Sequence, residues 1–346
     1  MKIKKRIIGQ KQKPFIVAEM SGNHNQSLSM ALKIVRAAAK AGVDCLKLQT
    51  YTPDTLTLNV NRKDFLIRDK KSLWKGQKLY NLYKKAYTPW KWHKPIFQYA
   101  KKLGLMCFST PFDDTAVDFL EKLEVPAYKI ASFENTDLPL IKKVIKTGKP
   151  IIISTGMASL KELKETVNFV KKNGCKNFAL LKCTSQYPAN PKNSNILTIP
   201  NMKKIFGCEI GISDHTLGIG ASIAAVSHGA SIIEKHFILN RKSGGVDSSF
   251  SLEPNEMKSL VIESKRAWES LGKISYGATV GEKKSVQFRR SLYIAENMKK
   301  GEFFNSKNLR IVRPGFGIEP KYYGKIIGKK IKKNAKKGTP VSWNLI

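Results

Sequence analysis

The chain has 346 residues, 42% of them hydrophobic, with apolar runs spread along its length, so it can bury one large core and a smaller second one and is not read as disordered. No stretch reaches the roughly 20 consecutive apolar residues of a membrane-spanning helix, so no membrane insertion is expected. The formal net charge of +36 is carried by lysine dispersed from end to end, without a helix-turn-helix, an aromatic RNA-binding signature or an arginine stripe; a specific nucleic-acid partner is not expected, and the field favours anionic small molecules.

In chain order, the basic opening Met1-Lys-Ile-Lys-Lys-Arg6 leads into a strand and not into a signal-peptide core, and a cytoplasmic protein is expected. Short β-rich runs then alternate with amphipathic stretches, and strands are predicted at 15–19, 45–49, 106–109, 127–130, 151–154, 178–183, 209–213 and 231–236. Helices are predicted between them, such as 27–42 with Gly42 as C-cap, and 116–123. An open doubly wound sheet alternates in the same way. No GxGxxG follows an early strand, however, and candidate ligands stand at nearly every strand end, which favours an α/β fold of the (β/α)8 TIM-barrel type. The long connection over 73–93, rich in Trp and Tyr, reads as a wall or lid at the barrel mouth, built as an aromatic-rich helix. A helix over 256–271 closes the barrel. The predicted organisation is a catalytic barrel over 1–275, a polar linker over 276–288 and a small β-rich module over 289–346. Within that module Met298-Lys-Lys-Gly-Glu-Phe-Phe304 is echoed by Ala335-Lys-Lys-Gly-Thr-Pro-Val341, an internal two-fold repeat.

Five cysteines, an odd number without CxxC spacing, predict neither a disulfide framework nor a structural zinc site; Cys45, Cys107 and Cys183 read as small core residues. The chemistry is expected at strand ends. His215 and His236 follow consecutive strands and can converge on one divalent cation with positions left for substrate oxygens, or else be two hydrogen-bonded histidines without a metal. Residues two apart on a strand share a side, which pairs Lys47 with Gln49, Ser213 with His215 and Glu234 with His236. Lys47 and Lys129, with hydroxyls from Thr110, Ser132, Ser154 and Ser213, suit a ligand carrying both phosphate and carboxylate; taken alone, each lysine reads as a salt bridge within the barrel. Glu19, Glu134 and Asp247 are candidate acids or bases, or hydrogen-bond anchors. Asn23, His24, Asp113 and Glu234 are weaker candidates, and His93 and His228 read as structural.

These residues sit in Ala18-Glu19, Gly22-Asn23-His24, Lys47-Leu-Gln49, Ser109-Thr-Pro111, Tyr128-Lys-Ile-Ala-Ser-Phe-Glu134, Ser154-Thr-Gly-Met157, Cys183-Thr-Ser-Gln-Tyr-Pro188, Gly211-Ile-Ser-Asp-His-Thr216 and Glu234-Lys-His236. In that order, over essentially the whole chain, they resemble the nonulosonic acid synthases, the sialic acid synthase family. The tail with Arg313-Pro-Gly315 resembles that family's antifreeze-like, or SAF, domain. The aromatic segment 74–90 and the run Gly244-Gly-Val-Asp-Ser-Ser-Phe-Ser-Leu-Glu-Pro254 resemble the pseudaminic acid branch, while Ser185 stands where sialic acid synthases tend to carry Asn.

The resemblance implies a transferase that condenses phosphoenolpyruvate with the open-chain aldehyde of an acetamido-deoxy sugar. In the pseudaminic branch the sugar is 2,4-diacetamido-2,4,6-trideoxy-altrose; the alternatives are N-acetylneuraminate or legionaminic acid synthesis from another acetamido sugar. It further implies a divalent cation (Mn2+, Mg2+ or Co2+) on His215 and His236, and phosphoenolpyruvate held by Lys47, Lys129, Thr110, Ser132, Ser154 and Ser213. Glu134 would handle protons, Glu19 and Gln49 would position the sugar, Ser185 and Tyr187 would contact substrate, and Asp247 would bind sugar or order water. Family members are homodimers whose SAF domain caps the partner barrel, which would bring Arg313 to the partner's site; without the family, Arg313 reads as an exposed surface arginine. A noncatalytic sugar or nucleic-acid binder on an inactivated barrel is the reading from a different class, and the intact set of Lys47, Lys129, Glu134, His215 and His236 argues against it.

Overall fold

Runs of Ile, Leu, Val and Phe that are buried on both faces become parallel strands, because one face must fill a barrel while the other lies under helices. In the computed structural model, which describes residues 1–69 and 72–346, eight such strands close into a barrel. They are β1 (Phe15–Glu19), β2 (Cys45–Thr50), β3 (Met106–Pro111), β4 (Tyr128–Ile130), β5 (Ile151–Ser154), β6 (Phe178–Cys183), β7 (Glu209–Asp214) and β8 (Ile232–His236). Each pairs with the next in sequence, and β8 returns to β1 with His236 opposite Glu19. A short ribbon of Lys2–Ile3 against Arg6–Ile7 precedes β1. Chain contacts divide the molecule into two units, Met1–Gly272 and Lys273–Ile346. No helix among the described residues is long and apolar enough to cross a membrane.

Two apolar layers build the first unit. The larger lies between strands and helices, and the smaller fills the barrel with Phe15, Val17, Cys45, Phe108, Ala127, Ile152, Ala179, Leu181 and Ile232. Strand periodicity then dictates what comes above that plug. Two residues beyond Val17, Cys45, Phe108, Ala127, Ile152, Leu181 and Ile232 stand Glu19, Lys47, Thr110, Lys129, Ser154, Cys183 and Glu234. The missing strand follows suit: a Cβ at Gly211 would strike Leu181 and Ile232, and two residues on is Ser213. The barrel interior therefore changes from wholly apolar to wholly polar in a single side-chain step, at its C-terminal end.

Helix Leu28–Ala41 is capped by Ser27, which accepts from Met30 N, and closed by Gly42 at φ 83°. The expected helix at 116–123 is Asp114–Lys122, and Asp113 is its N-cap, accepting from Thr115 N and Ala116 N; its role is structural. The aromatic connection forms two helices, Leu79–Ala86 and Trp90–Lys102, where one was expected, because the chain turns extended at Tyr87, which ends the first, and Pro89 is the N-cap of the second. The stretch expected as a polar linker contains a 3-10 helix, Lys283–Phe288.

The second unit pairs Ser291–Ile294 antiparallel with Leu309–Val312 around its own apolar cluster. The sequence echo is a structural two-fold. Met298 and Ala335 exchange backbone hydrogen bonds of 2.8 and 2.9 Å. Lys337 N donates to Asn297 Oδ1 and Lys300 N to Asn334 Oδ1, both at 2.8 Å. Likewise Gly301 N reaches Ile331 O while Gly338 N reaches Ile294 O, both glycines adopting φ near +90°. Each half supplies the bonds that the other lacks.

Candidate active site

The polar layer is a network of opposite charges. Lys47 Nζ lies 2.5 Å from Glu19 Oε2 and 3.7 Å from Glu234 Oε1, and donates to Thr110 Oγ1 at 3.1 Å. Lys129 Nζ lies 3.6 Å from the same Glu234 oxygen and donates to Ser154 Oγ at 2.5 Å. Ser213 Oγ donates to Glu234 Oε1 at 3.2 Å, while Gln49 Nε2 and Ser21 N donate to Glu19 Oε1. The lysines form salt bridges within the barrel and stand among its hydroxyls, and Glu234, taken from sequence as a weaker candidate, is the carboxylate that joins them. Burial raises the Glu19 carboxyl above its ordinary range against the pull of Lys47, and burial lowers Lys129. Lys47, although equally buried, is held above its usual value by Glu19 and Glu234. Among the groups in this layer Oε2 of Glu234 takes no hydrogen bond, an acceptor left open in a buried place.

Beside this network, the loops after β4, β5 and β6 bring hydroxyls together. Gly156 N donates to Ser132 Oγ at 3.2 Å, and a Cβ at Gly156 would strike both Ser132 Oγ and Ser185 Oγ, so only glycine lets the two serines converge. Asn135 Nδ2 fastens the arrangement by donating to Ser154 O and Gly156 O at 3.3 and 3.2 Å. Glu134, at the end of the 3-10 turn Ser132–Glu134, has a buried Oε2 without a hydrogen bond. Burial lifts its carboxyl from 4.5 to about 7, against the opposing pull of Lys129.

Just past β7 and at the last residue of β8, the two imidazoles lie with ring centroids 5.3 Å apart. His215 Nδ1 lies 3.0 Å from Thr184 O, which can only accept, so this nitrogen carries a proton; Cys183 and Thr184 O hold the ring above its ordinary pKa against burial. His236 Nδ1 is buried without a hydrogen bond, 3.5 Å from Asp247 Oδ2, and burial holds this ring well below its ordinary pKa, hence neutral. The Asp247 carboxyl is raised by burial, opposed by hydrogen bonds from Ser21 and Gly22. The two rings, with a carbonyl and a carboxylate behind them, fit a divalent cation whose binding would displace the proton from His215 Nε2. No cluster of three or more His, Cys, Asp or Glu ligands is present among the described residues, so the remaining positions of such an ion would fall to water or substrate.

Aromatic rings wall this half of the site. Tyr187 lies 4.5 Å from His215 and 5.8 Å from Trp74, and Phe250 lies 4.9 Å from His236, all between centroids. Trp74 Nε1 donates to Val246 O at 2.9 Å, tying the aromatic connection to the loop that carries Asp247. Beside them opens a cavity of about 540 Å³ lined by residues including Gly22, Asn25, Trp74, Gln77 and Val246.

Cys183 corrects its sequence reading. It occupies the polar layer, 3.9 Å from His215 Nδ1 and 3.8 Å from Ser185 Oγ, and His215, with Ser132 and Lys129, brings its thiol down to about 7 against burial. Asn135 was not read from sequence at all; the signal available was its place directly after Glu134. Asn23 bonds Phe237 O and Ser251 Oγ and keeps a buried Oδ1 without a hydrogen bond, His24 bonds Thr88 and packs edge-on against Trp92, His93 bonds Thr50, and His228 caps a helix. Arg313 is exposed in the second unit.

Residues 34–276 match the NeuB family, and residues 289–346 match the SAF domain. The chain belongs to the NeuB family. It is 44% identical to pseudaminic acid synthase of Campylobacter jejuni over 94% of this chain and 95% of that one. With pseudaminic acid synthase of Helicobacter pylori it shares 43% identity over 96% and 97% of the two chains. N,N'-diacetyllegionaminic acid synthase of Campylobacter jejuni is 38% identical over 94% of this chain and 98% of its own. Among solved structures, N-acetylneuraminic acid synthetase of Leptospira borgpetersenii in complex with citrate superposes with a TM-score of 0.73 at 30% identity, covering 83% of this chain and 94% of that one.

Proposed function

We propose that this NeuB-family transferase condenses phosphoenolpyruvate with 2,4-diacetamido-2,4,6-trideoxy-altrose to give pseudaminic acid and phosphate. The observation that carries the reading is a lysine and hydroxyl layer together with a pair of imidazoles at one barrel opening, in a chain 44% identical to a pseudaminic acid synthase. The aromatic wall of Trp74, Tyr187 and Phe250 supports the sugar assignment, since a trideoxy sugar with a methyl and two acetamido groups presents much apolar surface.

Lys47, Lys129, Thr110, Ser154 and Ser213 hold phosphoenolpyruvate, with Ser132, Ser185 and Gly156 N around its phosphate; fixing the enol carbon near the aldehyde can lower the barrier by several kcal/mol. His215 and His236 hold a divalent cation (Mn2+, Mg2+ or Co2+), which when bound supplies Lewis acidity at the aldehyde oxygen. Glu19, Gln49 and Tyr187 position the sugar, and Asp247 orders water or sugar beside His236. The enol carbon forms the new carbon-carbon bond. The aldehyde C=O electron pair passes to its oxygen, water adds to the oxocarbenium-like centre left behind, Glu134 takes one proton from that water and the new hydroxyl gains one, and phosphate departs with the C–O bond electrons and the second proton as the added hydroxyl becomes the ketone. The working form is a homodimer in the cytoplasm, the compartment of phosphoenolpyruvate, with the SAF domain of one chain over the partner barrel and Arg313 contacting the acetamido sugar.

The deciding test is mass spectrometry of products from phosphoenolpyruvate with each of three sugars, namely the diacetamido-trideoxy-altrose, N-acetylmannosamine and the legionaminic precursor, with and without chelator. Pseudaminic acid from the first and loss of product with chelator are expected. Turnover of another sugar alone would move the reading to a different branch, and salt-sensitive duplex binding without phosphate release would replace it with a binder.

A further inference from the structure

The two motifs that carry the histidines contain a second pair of residues that the reaction does not use. In Ser213-Asp-His215 and Glu234-Lys-His236 the middle residues, Asp214 and Lys235, are opposite each other in the register of β7 and β8. Side chains alternate along a strand, so when Ser213, His215, Glu234 and His236 face the site, Asp214 and Lys235 point to the helix layer behind it. There they are buried, Lys235 completely, and form an ion pair of 2.9 Å.

The bonds of this pair bracket His215. Lys235 Nζ donates to Asp214 Oδ2 and, at 2.6 Å, to Thr216 O, the residues on either side of His215 in the chain. Asp214 Oδ1 accepts from Thr216 N at 2.8 Å, and Oδ2 accepts from Ser222 Oγ at 2.7 Å, on helix Gly220–Ser227. The carbonyl of His215 itself accepts from Ala189 N at 2.9 Å. One ammonium, on the residue next to His236, thus holds the turn that aims His215. Stability does not call for such a pair, because well-packed apolar residues of the same volume are neutral or better in a buried position. An apolar pair, however, could neither hold Thr216 O nor fix the turn after Asp214.

We propose that Lys235 and Asp214 are positioning residues that set the separation and aim of His215 and His236 from behind the barrel wall, and so tune the affinity and geometry of the divalent cation between the rings. The inference rests on the proposed metal role of the two histidines. It is tested with the Asp214→Asn/Lys235→Met double variant, which removes both charges while nearly keeping their volumes and leaves no buried charge unpaired. Metal-free parent and variant are titrated with Co2+ by calorimetry, and the visible spectrum of the Co2+ form is recorded. The expected result is a folded variant by circular dichroism whose Co2+ dissociation constant is about 10-fold to 100-fold weaker, the range for supporting residues behind metal ligands. Its Co2+ spectrum should be altered, and its KM for phosphoenolpyruvate should change much less than the metal constant, because apart from Ser213 the residues that hold that substrate stand on other strands.

A folded variant with the parent's dissociation constant and spectrum overturns the proposal. Should the double variant not fold, Ser222→Ala decides: it keeps the ion pair but loosens Asp214, and a constant about twofold to threefold weaker supports the brace, whereas an unchanged one overturns it. If the parent chain itself takes up no Co2+, the metal reading falls and the brace with it, an outcome distinct from a parent that binds and a variant that binds equally well.

Discussion

The two units treat polar groups in opposite ways. At the mouth of the barrel Glu19, Lys47, Lys129, Glu234 and Asp247 are all buried together with two imidazoles. In the second unit the buried polar side chains are Ser291 and Asn308, both neutral and both bonded to backbone, and every charged residue described there reaches solvent. Burying charge is unfavourable unless partners and chemistry require it. The contrast therefore locates reactivity in the barrel and leaves the small unit a shape, built by exchanging hydrogen bonds between two like halves.

The strongest test of that contrast is to empty the imidazole pair. His215→Ala and His236→Ala are each expected to lower kcat/KM at least about 10³-fold, equivalent to about 4 kcal/mol of barrier, with the circular dichroism spectrum unchanged. Phosphate release is the measurement, and near-normal rates in either variant would remove the metal reading. Next in size is removal of residues 289–346, the SAF domain. A small unit that acts as a cap should leave a folded barrel with about 10²-fold lower turnover, since a mouth open to bulk water weakens every interaction inside it. Full turnover by the truncated chain would show that the second unit has no part in catalysis.

How far the sequence disclosed this can be told strand by strand. Burial on both faces writes a continuous apolar run, so the strands at 15–19, 151–154 and 178–183 end where they were predicted to end. Elsewhere β2 extends to Thr50 and β3 to Pro111, past the predicted ends at 49 and 109, because the ladder continues through polar residues that composition alone assigns to loops. The period-two rule placed Lys47 with Gln49 and Glu234 with His236 correctly, since it depends only on neighbours in the chain. What it cannot give is register between strands. Cys183 looked like core because Leu180 and Leu181 precede it, yet the stagger of β6 lifts it into the polar layer beside His215. The bridging role of Glu234 between Lys47 and Lys129 escaped for the same reason: its partners lie on strands far away in sequence.

The smallest effect concerns what the barrel gives up to hold one proton. Glu134 has a folded-state pKa of about 7, raised from 4.5 by burial. Between those values the folded protein keeps a proton that the unfolded chain has released, so the contribution is complete at pH 4 and is lost as pH rises through 7. Glutamine does not titrate. Glu134→Gln should therefore match the parent at pH 4, apart from a pH-independent offset, and gain on it with rising pH, by about 1 to 3 kcal/mol at pH 8, the upper figure being a shift of about 2.5 units at 1.36 kcal/mol each. Urea unfolding at the two pH values measures it. In the same variant kcat/KM should fall and the limb of its pH profile near 7 should vanish. A stability difference that stays flat from pH 4 to pH 8 would mean that the Glu134 carboxyl is hydrated like any surface acid, and proton transfer at the trapping step would have to be sought on another residue of the barrel mouth.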